Sequence, residues 1–351
     1  MGYHVGIIGG GFVGRVHLEA MLAHGAVSNV SLAEPDEGSR TQLASELPLG
    51  RAEADYRALL DDPSIDVVDV CLPHDLHHPV VLEAFAAGKH VIADKPISNT
   101  LSEADEMIAA AEAAGRRFFV ALNQRFLPVH QRVKQLLDDG TIGREFMATL
   151  TVIGNELARM SDPAGWKGTW DRAGGGVLAD SGTHVVDLAH DWFGPPTAVS
   201  CRLARHVVKT PNKADDTGVV TLEYPDLTVT LLLTYGAAGQ GWSETRQVWS
   251  ETGSVHVRLE DTNPIAVWRD GRLLLQEVTH EADWWGWSVK LGLAHALDRF
   301  ADDRPFAVDP SDAREALRTI RAAYQSAELG QRVLLAEYGV VAADTAEGAV
   351  R

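Results

Sequence analysis

Cysteine is nearly absent from this 351-residue chain: Cys71 and Cys201 are the two present, far apart and each in an apolar stretch. That excludes a disulfide framework and a thiolate metal cluster, and it fits a reducing compartment. Positive charge is also scarce. Lys and Arg together number 31 against 49 Asp and Glu, a formal net charge of -18, so nucleic acid and anionic membranes are repelled at long range. No apolar run approaches the ~20 residues that span a bilayer, and no basic, apolar leader precedes the first strand. The expectation is a cytoplasmic protein without nucleic-acid or membrane partners. Internal repeats and low-complexity segments are lacking too. What remains is an ordinary globular composition, 45% hydrophobic and 23% charged, on a chain long enough for two domains.

The first of these opens on a short β-branched run, Tyr3 to Ile8, that enters Gly9-Gly10-Gly11-Phe12-Val13-Gly14 and then a helical pattern at Val16, Ala20, Met21 and Ala23. Strand, glycine turn and helix are the context in which G-x-G-x-x-G (Gly9, Gly11, Gly14) binds a dinucleotide, with the pyrophosphate on the helix N-terminus. Phe12 and Val13 lie within that turn. A second strand, Val30 to Ala33, ends in Glu34, where an acid is needed for the ribose hydroxyls. A carboxylate there repels a 2′-phosphate by a few kcal/mol at about 5 Å and an effective dielectric near 20. Pro35 offers no compensating guanidinium, so NAD is favoured over NADP; Arg40 weakens this only if its loop folds back over the ribose.

Strands and helices continue to alternate: Asp66 to Leu72, Pro79 to Ala87, His90 to Ala93, Ser102 to Ala114 and Phe118 to Leu122. This grammar gives a parallel sheet covered on both faces, with ligands at the carboxyl ends of its strands. Those ends carry Leu72, Pro73, His74 and His77, then Asp94-Lys95-Pro96, then Asn123 and Gln124. The histidines of this group fit no common zinc spacing, so no metal is expected, and their loop reads as lying along the cofactor. Pro96 favours extended geometry at Lys95, holding an ammonium at the strand tip, where it can bind a reacting oxygen and stabilise alkoxide character.

After residue 122 long alternating strands take over, from Glu145 to Ile153 through Arg272 to Val278, with turns at Tyr224-Pro225-Asp226-Leu227 and Asp270-Gly271. They predict an α+β domain with a large, mostly antiparallel open sheet, residues 123–351, following a Rossmann domain, residues 1–122. Leu231, Leu233 and Tyr235 point to one face and Leu232 to the other, so a second subunit is expected on the uncovered side, in a homodimer or homotetramer. Within this domain Gly174-Gly175-Gly176 reads as a mobile loop, and a helix follows from about Ser181 to Gly194. Asp180, His184, Asp187 and Asp191 fall on its polar face, where an i, i+4 carboxylate can orient and support an imidazole base. The alternative for this stretch is a solvated polar face with Asp180 as a cap. Trp166 and Trp170 sit nearby on a Gly-rich segment and are candidates to stack on a sugar. Trp284, Trp285 and Trp287 precede a helix from about Val289, in either a core or a pocket role. The tail, Ala342 to Arg351, reads as disordered.

Together the glycine fingerprint, Leu72-Pro73-x-x-x-His77, Ala87-Gly88-Lys89-His90-Val91 leading into Asp94-Lys95-Pro96, and Gly174-Gly175-Gly176-x-Leu178-x-Asp180-x-Gly182-x-His184-x-x-Asp187 resemble the glucose-fructose oxidoreductase, inositol dehydrogenase and MocA family (Gfo/Idh/MocA). The resemblance runs in order over almost the whole chain. It implies hydride transfer between a nicotinamide cofactor, NAD or NADP, and a secondary alcohol or ketone of a sugar or cyclitol. It further implies a catalytic group of Lys95, Asp180 and His184, which with Gln124, Trp166 and Trp170 are the substrate-binding candidates. One departure is Asp94, where the family usually has Glu. Rival expectations are glycoside cleavage by oxidation and elimination, and a non-catalytic NAD-binding sensor.

Overall fold

A computed structural model of the chain describes residues 2–208, 214–239, 241–274, 278–302 and 304–338. The expected disorder of the tail from Ala342 lies outside the described residues. The chain divides into two compact units, residues 1–127 with 285–314, and residues 128–284 with 315–351. The sequence-based boundary at residue 122 takes no account of the later segment that joins the first unit.

Six parallel strands form the sheet of the first unit: β1 (Tyr3–Ile8), β2 (Val27–Ala33), β3 (Arg51–Glu53), β4 (Val67–Val70), β5 (His90–Ala93) and β6 (Phe118–Val120), in the order β3-β2-β1-β4-β5-β6. The connecting helices are α1 (Phe12–Leu22), α2 (Glu37–Glu46), α3 (Arg57–Leu60), α4 (His77–Ala86) and α5 (Leu101–Ala114). The strand cores are dry: Val5, Ile7, Leu32, Val67, Val68, Val91, Ile92 and Phe119 are buried, as a sheet covered on both faces requires. Sequence periodicity overlooks α2 and β3, whose residues are too polar to show an apolar stripe. Helix α2 is fixed instead by its cap, Asp36, which accepts the Ser39 N–H at 2.7 Å.

The second unit contains α6 (Pro128–Asp138), β7 (Glu145–Ile153), α7 (Leu157–Ser161), α8 (Trp170–Ala173), α9 (Ser181–Phe193), β8 (Ala198–Ala204), β9 (Thr217–Glu223), β10 (Thr228–Thr234), β11 (Ser243–Ser250), β12 (Gly253–Arg258), β13 (Ile265–Arg269) and β14 (Arg272–Leu274). Helix α10 (Trp284–Asp302) falls almost wholly in the first unit, while α11 (Pro310–Leu329), from Glu315 on, and the short β15 (Val333–Leu334) complete the second. The nine strands run in the order β14-β13-β12-β11-β7-β10-β9-β8-β15. Every pairing is antiparallel except β7 with β10. Strands β11 and β12 form a hairpin whose turn is residues 251–252. Asp270 and Gly271 both have positive φ, 49° and 72°, the geometry of a two-residue turn matched to strand twist. Helix α9 packs on β7 and β10 over Leu150, Val152, Leu231 and Leu233, all buried, whereas Leu232 on the other face is exposed. Trp284, Trp285 and Trp287 form the first turn of α10 rather than a loop before it, because Gly286 does not break the helix; Trp284 is buried. Among the described residues no helix is long and apolar enough to cross a membrane.

Candidate active site

In the first unit the glycine turn is built by close approach. Gly9 has φ +105°, and a β-carbon there would lie 2.3 Å from the Cys71 carbonyl oxygen; one on Gly14 would lie 2.0 Å from the Gly9 oxygen. Neither position tolerates a side chain. A β-carbon on Gly11, by contrast, meets nothing within 4 Å. Gly11 is the N-cap of α1 and supplies no side-chain cap, so the helix start offers backbone N–H groups and the positive end of the dipole to an anion. The carboxylate of Glu34 is fixed beside this turn: Oε2 accepts the Gly10 N–H at 2.7 Å and Oε1 the Asp36 N–H at 2.9 Å. The open cradle and the anchored acid fit a dinucleotide with free ribose hydroxyls. Arg40 does fold back, but its guanidinium donates to the backbone carbonyls of Glu34, at 2.7 Å, and Pro35, at 3.2 Å.

The carboxyl ends of the strands are tied together from behind. His77 is buried, with ring nitrogens 2.9 Å from the carbonyl oxygens of Pro96 and Leu72. It therefore fastens the loop after β5 to the loop after β4. The Lys95–Pro96 peptide bond is cis. His74 is buried beside His77, with ring centroids 5.8 Å apart. His78 turns away and pairs with Glu106 at 2.8 Å. Lys89, in the stretch before β5, donates to the carbonyls of Asp62 and Ile65, which makes it a structural lysine. Asn123 donates to the Ser288 hydroxyl at 2.6 Å and Gln124 is buried beside it in sequence. The ring of Phe12, at the tip of the glycine turn, stacks on Trp285 at 5.2 Å. The described residues hold one group of three side chains within metal-ligand range of one another, His17, Asp69 and Cys71. There Asp69 accepts from His17 at 2.8 Å and from the Cys71 thiol at 3.6 Å, and burial pushes the thiol well above its ordinary pKa.

In the second unit the three glycines are the opposite of a mobile loop. All are buried, and a β-carbon on Gly175 would lie 2.0 Å from the Tyr324 hydroxyl and one on Gly176 1.8 Å from the Asp215 carbonyl oxygen. Asp215 accepts the N–H groups of Gly176 and Leu178, at 2.9 and 3.0 Å, and the Tyr324 hydroxyl at 2.7 Å. Burial raises the Asp215 carboxyl above its ordinary pKa, against the pull of these bonds. Arg321 donates to the Gly174 carbonyl, and Trp170 packs edge-on against Tyr324 at 5.0 Å. Glycine is needed here for proximity, not for motion.

The locked loop delivers Asp180 to the start of α9. Asp180 sits at the N-cap position without making a side-chain cap bond. Its Oδ2 accepts the Tyr235 hydroxyl at 2.7 Å and lies 2.8 Å from Lys167 Nζ. Lys167 also reaches Glu156 at 3.1 Å, and Tyr235 shares its hydroxyl with Ser181 at 2.6 Å. Burial disfavours the Lys167 charge, but Asp180 and Glu156 outweigh it and hold its pKa above the ordinary lysine value. Burial, reinforced by Asp180, pushes the Tyr235 phenol well above its usual pKa. His184 and Asp187 are buried, which rules out a solvated polar face. Lys167, Tyr235 and Glu156 are the residues that sequence reasoning missed. Lys167 stood between Trp166 and Trp170, and Tyr235, one residue past β10, was the one polar tip in the apolar series of Leu231, Leu233 and Tyr235.

Residues 3–122 match the family described as "Oxidoreductase family, NAD-binding Rossmann fold", and residues 130–256 match the GFO/IDH/MocA C-terminal domain. The chain belongs to the Gfo/Idh/MocA oxidoreductase family. Among curated relatives, levoglucosan dehydrogenase of Pseudarthrobacter phenanthrenivorans is 33% identical over 219 residues, 59% of this chain and 55% of that protein. Myo-inositol 2-dehydrogenase of Thermotoga maritima is 28% identical over 190 residues, 54% of each. The matched stretches thus span about half the length of these two relatives. An oxidoreductase domain protein from Kribbella flavida superposes with a TM-score of 0.85 at 26% identity, over 95% of this chain and 99% of that one. Levoglucosan dehydrogenase in complex with NADH and levoglucosan superposes with a TM-score of 0.87 at 24% identity, over 95% and 100%, a likeness of fold. Residues 3–122, which carry the cradle at Gly9 to Gly14 and the anchored Glu34, are therefore the NAD-binding Rossmann domain of this family.

Proposed function

We propose that the protein is an NAD-dependent dehydrogenase that oxidises a secondary hydroxyl of a sugar, sugar derivative or cyclitol, or reduces the corresponding ketone. The observation that carries the reading is the side chain of Asp180, held by Lys167 and Tyr235 one helical turn before the buried His184. In the oxidation direction His184 takes the hydroxyl proton, Lys95 donates a hydrogen bond to the oxygen as it gains negative charge, and Asp180 supports the imidazolium. The carbon-bound hydrogen leaves with its electron pair as the C=O bond forms. When bound, the nicotinamide supplies the acceptor for that hydride.

A panel of sugars and cyclitols, followed by NADH formation, tests it. On the best substrate, His184→Ala and Lys95→Ala should each lower turnover by about two to four orders of magnitude, with NAD affinity nearly unchanged because Gly9 to Gly14 and Glu34 hold the cofactor. Asp180→Asn, which keeps the shape but removes the charge, should lose less. Near-normal turnover in His184→Ala would remove the proton acceptor from the scheme.

A further inference from the structure

Trp242 is held in a way that packing alone does not require. Its indole N–H donates to Glu244 Oε1 at 2.9 Å. Glu244 is buried, and its other oxygen is held by the guanidinium of Arg246, itself buried and donating to the carbonyls of Thr151, at 2.8 Å, and Thr245, at 3.0 Å. A buried ion pair contributes little net stability against an apolar replacement, so its presence calls for another use. The other side of the ring is accommodated by Gly154: a β-carbon there would lie 2.4 Å from both Cε3 and Cζ3 of the indole. Yet Trp242 remains 37% exposed. An indole with its polar edge fixed and one region seated on bare backbone is a rigid platform with apolar surface left over.

The platform lies beside the group that holds Asp180. Beyond the paired ends of β7 and β10 the Gly154 N–H donates to the Thr234 carbonyl at 2.8 Å and the Glu156 N–H to the Tyr235 carbonyl at 3.1 Å. From this double strand Tyr235 sends its hydroxyl to Asp180 and Glu156 its carboxylate to Lys167. The Trp242 ring is 6.0 Å from that of Tyr235 and rests on Gly154. We propose that Trp242 is a specificity-determining residue whose exposed face receives the C–H face of a ring substrate, so that the enzyme prefers pyranose-type rings to open-chain polyols. Flat aromatic surface is suited to this because it binds an apolar ring face without demanding particular hydroxyls.

This inference rests on the proposed dehydrogenase activity. The experiment compares Trp242→Leu, which keeps apolar bulk, and Trp242→Phe, which keeps an aromatic face, on the best ring substrate of the panel and on an open-chain polyol of the same hydroxyl count. Trp242→Leu should raise KM for the ring substrate by about tenfold, the upper worth of an aromatic contact, with kcat within about threefold. KM for the open-chain polyol should hardly move, and Trp242→Phe should restore most of the ring preference. An unchanged ring KM in Trp242→Leu, or an equal rise for both substrates, would overturn the platform while leaving the dehydrogenase intact. If the leucine variant does not fold, loss of ring preference in Trp242→Phe with no recovery in Trp242→Tyr would overturn the stacking role as well. A wild-type protein that binds NADH but neither oxidises any sugar or cyclitol of the panel nor reduces a corresponding ketone would overturn the proposed function and the platform with it.

Discussion

Glu34 does two jobs at once. Its oxygens accept the N–H groups of Gly10 and Asp36, so the carboxylate clamps the glycine turn, and in the proposed NAD complex it is also the charge that faces the ribose. About 3 kcal/mol of repulsion toward a 2′-phosphate follows from a separation near 5 Å at an effective dielectric near 20. NAD should therefore bind at least about tenfold more tightly than NADP, well within that repulsion. Glu34→Ser combined with Pro35→Arg should narrow the gap, and because the clamp is lost it should also weaken NAD itself. Titration of both cofactors by fluorescence checks this, and equal affinities in the unmodified protein would defeat it. Arg40, whose guanidinium donates to the carbonyls of Glu34 and Pro35, keeps its charge beside this carboxylate and offsets part of that repulsion.

At the level of elements, the loops around α9 show why some of the site was legible and some was not. The helix, the place of His184 on it and the two hairpin turns follow from local spacing, which sequence carries directly. The rigidity of Gly174 to Gly176 does not, because it depends on Asp215 and Tyr324, remote in sequence, and three glycines without those partners would be flexible. Lys167 and Tyr235 were hidden for the same reason: their meaning lies in a contact with Asp180, not in their own neighbourhood. Asp216 is a further case. Buried at the start of β9, it accepts the N–H groups of His206, Val207 and Val208 at 3.0, 2.8 and 2.7 Å, and the Thr217 hydroxyl at 2.8 Å. Burial opposes its charge, but these four bonds prevail and hold its pKa below the ordinary 3.8. A depressed carboxyl stabilises the fold above the unfolded-state pKa and loses that contribution as pH falls through the lower folded value. Asp216→Asn should thus cost about 2–3 kcal/mol, the scale of hydrogen bonds to a charged group. Urea unfolding should show the same deficit at neutral and mildly acidic pH and a shrinking one below 3.8. A deficit that stays constant to lower pH would mean that the charge is not what matters.

For the molecule as a whole, the sheet of the second unit raises the question of what covers its other face. Helix α9 lies over Leu150, Val152, Leu231 and Leu233. On the side that faces away, β9 and β10 carry Val219 and Leu232, 44% and 38% exposed, and β13 carries Trp268 at 41%. Interleaved threonines, Thr221 and Thr230, keep this surface less oily than a core, yet exposed Val219, Leu232 and Met147 on the adjoining strands β9, β10 and β7 exceed the scattered exposure of a monomer. Sheet faces of this kind pair with themselves across a two-fold axis, because a single patch then buries two apolar surfaces. We expect a dimer or tetramer that uses residues of the second unit. Light scattering at micromolar concentration should return a multiple of the 38.0 kDa chain mass, and Leu232→Glu should shift the protein toward a single chain by placing two like charges near the axis. The two measurements separate the alternatives: a single-chain mass for the unmodified protein removes the assembly, whereas an oligomer unaffected by Leu232→Glu moves its interface away from this face.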